Sequence, residues 1–132
     1  MEMKLHHLAL GARDPEQVAA FYRDLLGLRE VCRHQEPGGP LRSIWLDLCG
    51  PVLMIERTEE PARLVPGVGA GPFLLALAAA PSERSVLEKS LGSSGFPIDS
   101  RTEHTIYFRD PEGNRVALSS YPLLGAHNDT TK

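Results

Sequence analysis

An α+β fold is predicted for this chain, built from two copies of one strand-helix-strand-strand-strand unit. Three observations point there. Short apolar runs alternate with turns drawn from 12 Gly and 11 Pro residues. In each half, a stretch with helical spacing follows a strand-like run and opens on a proline. The halves also align, Leu8-Ala9-Leu10 with Leu75-Ala76-Leu77 at an offset of 67 and Pro15 with Pro81 at 66.

The first copy begins with a strand over residues 4–10. Asp14-Pro15-Glu16-Gln17 then starts a helix: Asp14 is a good N-cap, proline suits the first helical position, and Gln17 completes a capping box. Val18, Phe21, Tyr22, Leu25 and Leu26 recur at three- and four-residue spacing, and Gly27 supplies the left-handed stop after about three turns. Strands are predicted over 28–34, 41–48 and 51–57, separated by the Glu36-Pro37-Gly38-Gly39-Pro40 and Cys49-Gly50 turns. A Pro- and Gly-rich linker, 59–71, leads into the second copy. There a strand over 73–78 precedes a helix from Pro81 carrying Val86, Leu87 and Leu91, which ends in 92–95. Strands over 96–100, 104–109 and 116–120 follow, the last two joined by the tight turn Asp110-Pro111-Glu112-Gly113-Asn114. The segment 125–132 is polar and patternless, and a frayed tail is expected.

A length of 132 residues suits one domain, with no room for two independent cores. We expect a single domain over 1–124, made of modules 4–60 and 72–122. Lys and Arg number 14 against 17 Asp and Glu, a net charge of −3, and the basic residues are scattered. That argues against a nucleic-acid or anionic-membrane surface. No apolar run reaches the roughly 18 residues of a membrane span. The start, MEMKLHHLAL, mixes acid, base and two histidines, unlike a secretory leader. With Cys32 and Cys49 read as reduced, buried thiols, a cytoplasmic protein is expected.

The opening His7-Leu8-Ala9-Leu10, the helix signature Phe21-Tyr22 with Leu25-Leu26-Gly27, and the closing Tyr107-Phe108-Arg109-Asp110-Pro111-Glu112-Gly113-Asn114 carry a resemblance. Over residues 4 to 122 the chain resembles the vicinal oxygen chelate superfamily of glyoxalase I, extradiol dioxygenases, and fosfomycin and bleomycin resistance proteins. The resemblance implies two four-stranded sheets curling into a half-open mixed β-barrel, helices on the outer faces, a cavity inside, and a homodimer. In metal-dependent members, the first and last strand of each module each supply a ligand, and the metal acts as a Lewis acid on adjacent substrate oxygens. Carried over to this chain, those positions are His7 and Glu56 in the first module, but Leu74 and Ala117 in the second. Two donors hold a metal weakly, since catalytic sites normally keep three protein ligands. The cofactor expectation is therefore none, or a weakly held divalent Zn, Ni, Co, Mn or Fe.

Strand alternation extends this reading to the rest of the cavity wall. Around the Cys49-Gly50 turn, positions summing to 99 pair, so Glu56 faces Ser43, Met54 faces Trp45 and Val52 faces Asp47. This register sends Ile44, Leu46, Leu48, Leu53 and Ile55 to the helix side, whereas a one-residue slip would bury Trp45 and Asp47 there. In the second module Tyr107 opposes Ala117 and Thr105 opposes Ser119, with Arg109 and Arg115 at the rim and Ala76 and Ala78 beside Leu74. The predicted ligand-binding wall is Trp45, Met54, Leu74, Tyr107 and Ala117, with Ser43, Thr105, Ser119 and Arg115 as polar handles. The places of Thr105 and Tyr107 match substrate-side residues of the fosfomycin resistance relatives.

Each candidate also has a plainer reading. His7 suits an interior histidine hydrogen-bonded for structure, and His6 points to the helix side. Glu56 is costly to bury unpaired, so it either pairs with Arg115, reaches solvent, or serves as a general base. Trp45, the only tryptophan, is placed away from the aliphatic layer, which favours ligand contact. His34 and His104 lie near strand ends as possible substitute ligands. Two functions remain open. One is a dimeric, metal-independent module that holds a small organic molecule, as bleomycin-type resistance proteins sequester their drugs; Leu74, Ala117 and the aromatic wall favour it. The other is a metal-dependent lyase, isomerase or dioxygenase of the glyoxalase I type, supported by the presence of both His7 and Glu56.

Overall fold

Local signals at the first helix act as the chain demands. In this computed structural model, which describes residues 1–123, the strand β1 (His7–Ala12) leads into α1 (Pro15–Ala20). The Asp14 carboxylate accepts the Gln17 backbone N–H at 3.2 Å, satisfying one of the free donors of the first turn. Residues Phe21–Leu25 continue as one wider, π-type turn, in which the Leu26 N–H reaches back to the Phe21 carbonyl at 3.3 Å. Gly27, at φ +81°, then turns the chain out of the helix. The strands β2 (Glu30–Gln35), β3 (Leu41–Asp47) and β4 (Val52–Arg57) complete the first module. The second contains β5 (Leu75–Ala78), α2 (Pro81–Ser93), β6 (Ser100–Arg101), β7 (Thr105–Arg109) and β8 (Arg115–Ser119). The expected tail at 125–132, with its Asn128-Asp129-Thr130 sequon, lies outside the described residues.

The architecture is α+β, with two four-stranded mixed sheets ordered β1-β4-β3-β2 and β5-β8-β7-β6. In each, the first strand pairs parallel with the last and the remaining pairs are antiparallel. The chain divides into two compact units, Met1–Leu64 with Asp110–Gly113, and Val65–Arg109 with the chain from Asn114 onward.

In the first unit the β3–β4 register is Ser43 to Glu56, Trp45 to Met54 and Asp47 to Val52. Apolar alternation sets it: Ile44, Leu46, Leu53 and Ile55 are all fully buried, on the side where α1 brings Val18 and Ala19. A one-residue slip would move these four aliphatic side chains to the opposite face, each worth about 1.5–3 kcal/mol of burial. The turn Asp110–Gly113 belongs to the same unit. There the Tyr22 hydroxyl donates to Asp110 Oδ2 at 2.7 Å, and the Glu112 backbone N–H donates to Asp110 Oδ1 at 2.9 Å. Burial and the adjacent Asp110 charge push the Tyr22 hydroxyl well above the usual tyrosine range.

In the second unit β7 and β8 pair Thr105 with Ser119, Tyr107 with Ala117 and Arg109 with Arg115. Ile106, Phe108, Val116, Leu118 and Leu91 form its buried layer. Several sequence expectations are corrected here. The strand predicted from 73 begins at Leu75, so Leu74 precedes it, and the strand predicted over 96–100 shrinks to Ser100–Arg101. Val86 is exposed rather than part of the helix's inner face. Cys49 is an exposed thiol at φ +62° and not a buried one, and Cys32 is half-buried.

Candidate functional site

One cavity of about 260 Å³ in the first unit is lined by His34, Arg42, Ser43, Trp45, Met54 and Glu56. The sheet puts these residues together by register. His34 of β2 pairs with Ser43 of β3, which pairs with Glu56 of β4; one step along the same face, Cys32, Trp45 and Met54 form the next row. The His34 ring lies 5.0 Å from the Trp45 ring at an interplanar angle of 56°, and its Nδ1 is 3.2 Å from the buried Ser43 hydroxyl. The Trp45 indole N–H is buried and has no acceptor among the described residues. A second depression of about 300 Å³ shares Arg42 and Glu56 with the first and adds Glu36, Pro40, Arg57, Thr58 and Glu59.

Four of the sequence-predicted site residues, Ser43, Trp45, Met54 and Glu56, therefore share this cavity. Glu56 faces Arg42 at 3.8 Å, a neighbour that the sequence reading missed. His34, which that reading kept only as a possible substitute ligand, contributes an aromatic edge and holds the Ser43 hydroxyl.

His7 is placed differently. It is exposed, not interior, and its Nδ1 lies 2.9 Å from Nδ1 of His6, so one ring donates and the other accepts. His6 is likewise exposed and stacks edge-on against His7 rather than pointing to the helix side. His7 pairs with Val52, whereas Glu56 pairs with Gly11, four residues farther along β1. That offset is about 13 Å of strand.

The second unit's candidates form their own group. The Thr105 and Ser119 hydroxyls bond each other at 2.8 Å, and Ser119 also accepts the Tyr121 backbone N–H at 3.1 Å. Arg115 lies over the Tyr107 ring, 4.2 Å from its centroid, so it covers that ring instead of projecting at a rim. Ala117 is fully buried, and Leu74, Ala76 and Ala78 are exposed. His104 stacks on Tyr121 and lies 3.6 Å from Glu103.

Taken as a metal-binding set, these positions fall short. Leu74 and Ala117 carry no donor atom, and His7 and Glu56 stand four residues apart along the β1–β4 ladder. Among the described residues no three His, Cys, Asp or Glu side chains come together.

Residues 4–118 match the family model of the Glyoxalase/Bleomycin resistance protein/Dioxygenase superfamily. The chain belongs to this superfamily. Solved structures share its fold. The fosfomycin resistance protein FosX from Mesorhizobium loti is 18% identical with a TM-score of 0.76, the match covering 100% of both chains. A glyoxalase/dioxygenase from Nostoc punctiforme is 23% identical with a TM-score of 0.71, covering 87% of this chain and 88% of that one. Lactoylglutathione lyase from Agrobacterium tumefaciens is 22% identical with a TM-score of 0.66, covering 89% and 93%. No curated protein sequence matches the chain. Like other superfamily members, it is built from two βαβββ modules, and no helix among the described residues is long and apolar enough to cross a membrane.

Proposed function

We propose that this superfamily member binds a small, mostly apolar organic molecule in the first unit's cavity, without a full metal site. One observation carries the reading. A cavity of about 260 Å³ is walled by the Trp45 and Met54 side chains and edged by His34, Ser43, Arg42 and Glu56. Apolar wall with a few directed polar groups is the composition of ligand pockets. The buried Trp45 N–H, which has no acceptor among the described residues, adds an unspent donor at the same place. Leu74, Thr105, Tyr107, Arg115, Ala117 and Ser119 belong to the proposal as the second module's ligand-side residues, and the working form is a cytoplasmic homodimer.

The test uses the only tryptophan as reporter. Titration with aromatic probe compounds is expected to quench or shift Trp45 emission saturably, and Trp45→Phe removes the signal while Met54→Ala weakens the affinity. Absence of saturable change with any probe would overturn the proposal. Metal retention is the second arm. Protein incubated with Zn, Ni, Co, Mn or Fe(II) and then dialysed is expected to keep far less than one ion per chain.

A second reading is a divalent-metal-dependent lyase, isomerase or dioxygenase of the glyoxalase I type that assembles its metal from His7 and Glu56 with substrate-supplied or displaced ligands; the presence of His7 and Glu56 in the sequence favours it. A structural neighbour, FosX from Listeria monocytogenes at 17% identity and a TM-score of 0.76, is described as complexed with Mn(II). Near-stoichiometric metal that disappears in His7→Ala and Glu56→Ala would select this reading over the first.

A further inference from the structure

We propose that the cavity's ligand is an organic cation, a flat aromatic body carrying a basic amine or a similar positive group. This rests on the small-molecule reading above and names the class of molecule it would take. The argument starts from three ionised side chains, Arg42 and Glu56, which the two depressions share, and Glu36 of the second depression. The Arg42 guanidinium is 3.8 Å from Glu36 Oε1 through Nη1 and 3.8 Å from Glu56 Oε1 through Nε. Both separations exceed the about 3.2 Å of a good N–H···O bond, so each carboxylate keeps its accepting capacity. One cation loosely held between two anions leaves one negative charge uncompensated. The remaining charges on that rim do not restore the balance, because Arg57 and Glu59 are already closed on each other at 2.8 Å.

The aromatic wall favours the same sign. The Trp45 and His34 rings, their centroids 5.0 Å apart and tilted by 56°, touch each other and form one aromatic wall beside Glu56. A ring face carries the negative end of its quadrupole and attracts a cation, and tryptophan does so best. A flat cationic ring laid against that wall would meet Trp45 through its face and Glu56 through its charged edge. Arg42 is no obstacle, since its side chain is 64% exposed and can move its head into solvent while keeping its stem in place. An anion of the same shape would face both carboxylates, and a neutral one would gain only the wall.

The test compares three acridines of nearly equal shape on the full-length chain by calorimetry and Trp45 emission: an aminoacridine cation, neutral acridone and an acridine carboxylate. The cation is expected to bind about tenfold or more tighter than acridone, with the carboxylate weakest. That advantage should shrink as salt rises from about 20 mM to about 500 mM, because the charges stand at an open rim. The ratio of cation to neutral affinity should also fall at least about threefold in Glu36→Gln and in Glu56→Gln. Equal affinities, or a preference for the carboxylate, would overturn the cation assignment while leaving the cavity reading intact. No binding by any of the three would overturn both.

Discussion

Tyr22→Phe removes one oxygen from a fully buried ring and leaves the ring's packing in place. The Tyr22 hydroxyl donates to Asp110 Oδ2 at 2.7 Å, and Asp110 is only 3% exposed. In the variant, that carboxylate oxygen loses a charge-assisted bond in a place where water does not readily replace it. The Glu112 N–H donates to the other oxygen, Oδ1. Bonds of this kind are worth about 1.5–3 kcal/mol. For a domain of this size that corresponds to a fall in Tm of roughly 5–12 °C. Urea unfolding at neutral pH, with an unchanged m value, measures the same quantity. A pH series adds a signature that simple loss of packing lacks. Because the folded-state Tyr22 hydroxyl titrates well above its ordinary value, its stabilisation is complete below about pH 10 and is lost as the pH rises from there toward the folded-state value. The gap between the parent protein and Tyr22→Phe should therefore narrow above about pH 10. A change below about 0.5 kcal/mol at neutral pH, or a gap that does not narrow in alkali, would refute the idea that this bond clamps the Asp110–Gly113 turn onto the first module.

Other outcomes follow from the same packing and charge arguments. Arg33 bonds Glu16 at 2.8 Å and Glu30 at 2.8 Å and is the leading cause that holds both carboxyls below their ordinary range. Their contribution is thus present above about pH 4.5 and lost as the pH falls through the folded-state values. Arg33→Gln should cost under about 1 kcal/mol at neutral pH, a penalty that vanishes near pH 2 in urea titrations. Leu46→Ala, in the fully buried aliphatic layer of the first sheet, is expected to lower stability by about 2–5 kcal/mol in the same assay, and a loss below about 1 kcal/mol would contradict the register. Gly113 stands at φ +92°, and a Cβ there would meet Leu64 Cδ2 at 2.9 Å. The end of that leucine can swing away, so the backbone term dominates, and Gly113→Ala should cost about 1–2 kcal/mol by thermal unfolding.

Much of the fold was legible because its determinants are local. Asp14, Pro15 and Gln17 announce a helix start through groups within one turn of each other. The aliphatic alternation of Ile44, Leu46, Leu53 and Ile55 determines the β3–β4 register to the residue, because every one-step slip reverses the buried face. The same logic placed Thr105 opposite Ser119 and Tyr107 opposite Ala117. Where strands are short or polar the logic weakens. The stretch 96–100 has one phenylalanine and a proline and contributes only Ser100 to the two-residue β6.

The sequence by itself determined the module repeat, the helix limits and which face of each hairpin is apolar, since side-chain period and capping chemistry act over a few residues. Only the tertiary structure decided what meets Ser43 and Trp45. The register of β2 shifts between Glu30 and Cys32 and again between His34 and Gln35, so counting from either end of that strand does not place His34 beside Ser43. Nor does any local rule pair Tyr22 with Asp110, 88 residues away, or set Arg42 at equal distance from Glu36 and Glu56. Those arrangements depend on where bulges and long connections bring the backbone, and a periodic pattern carries no record of either.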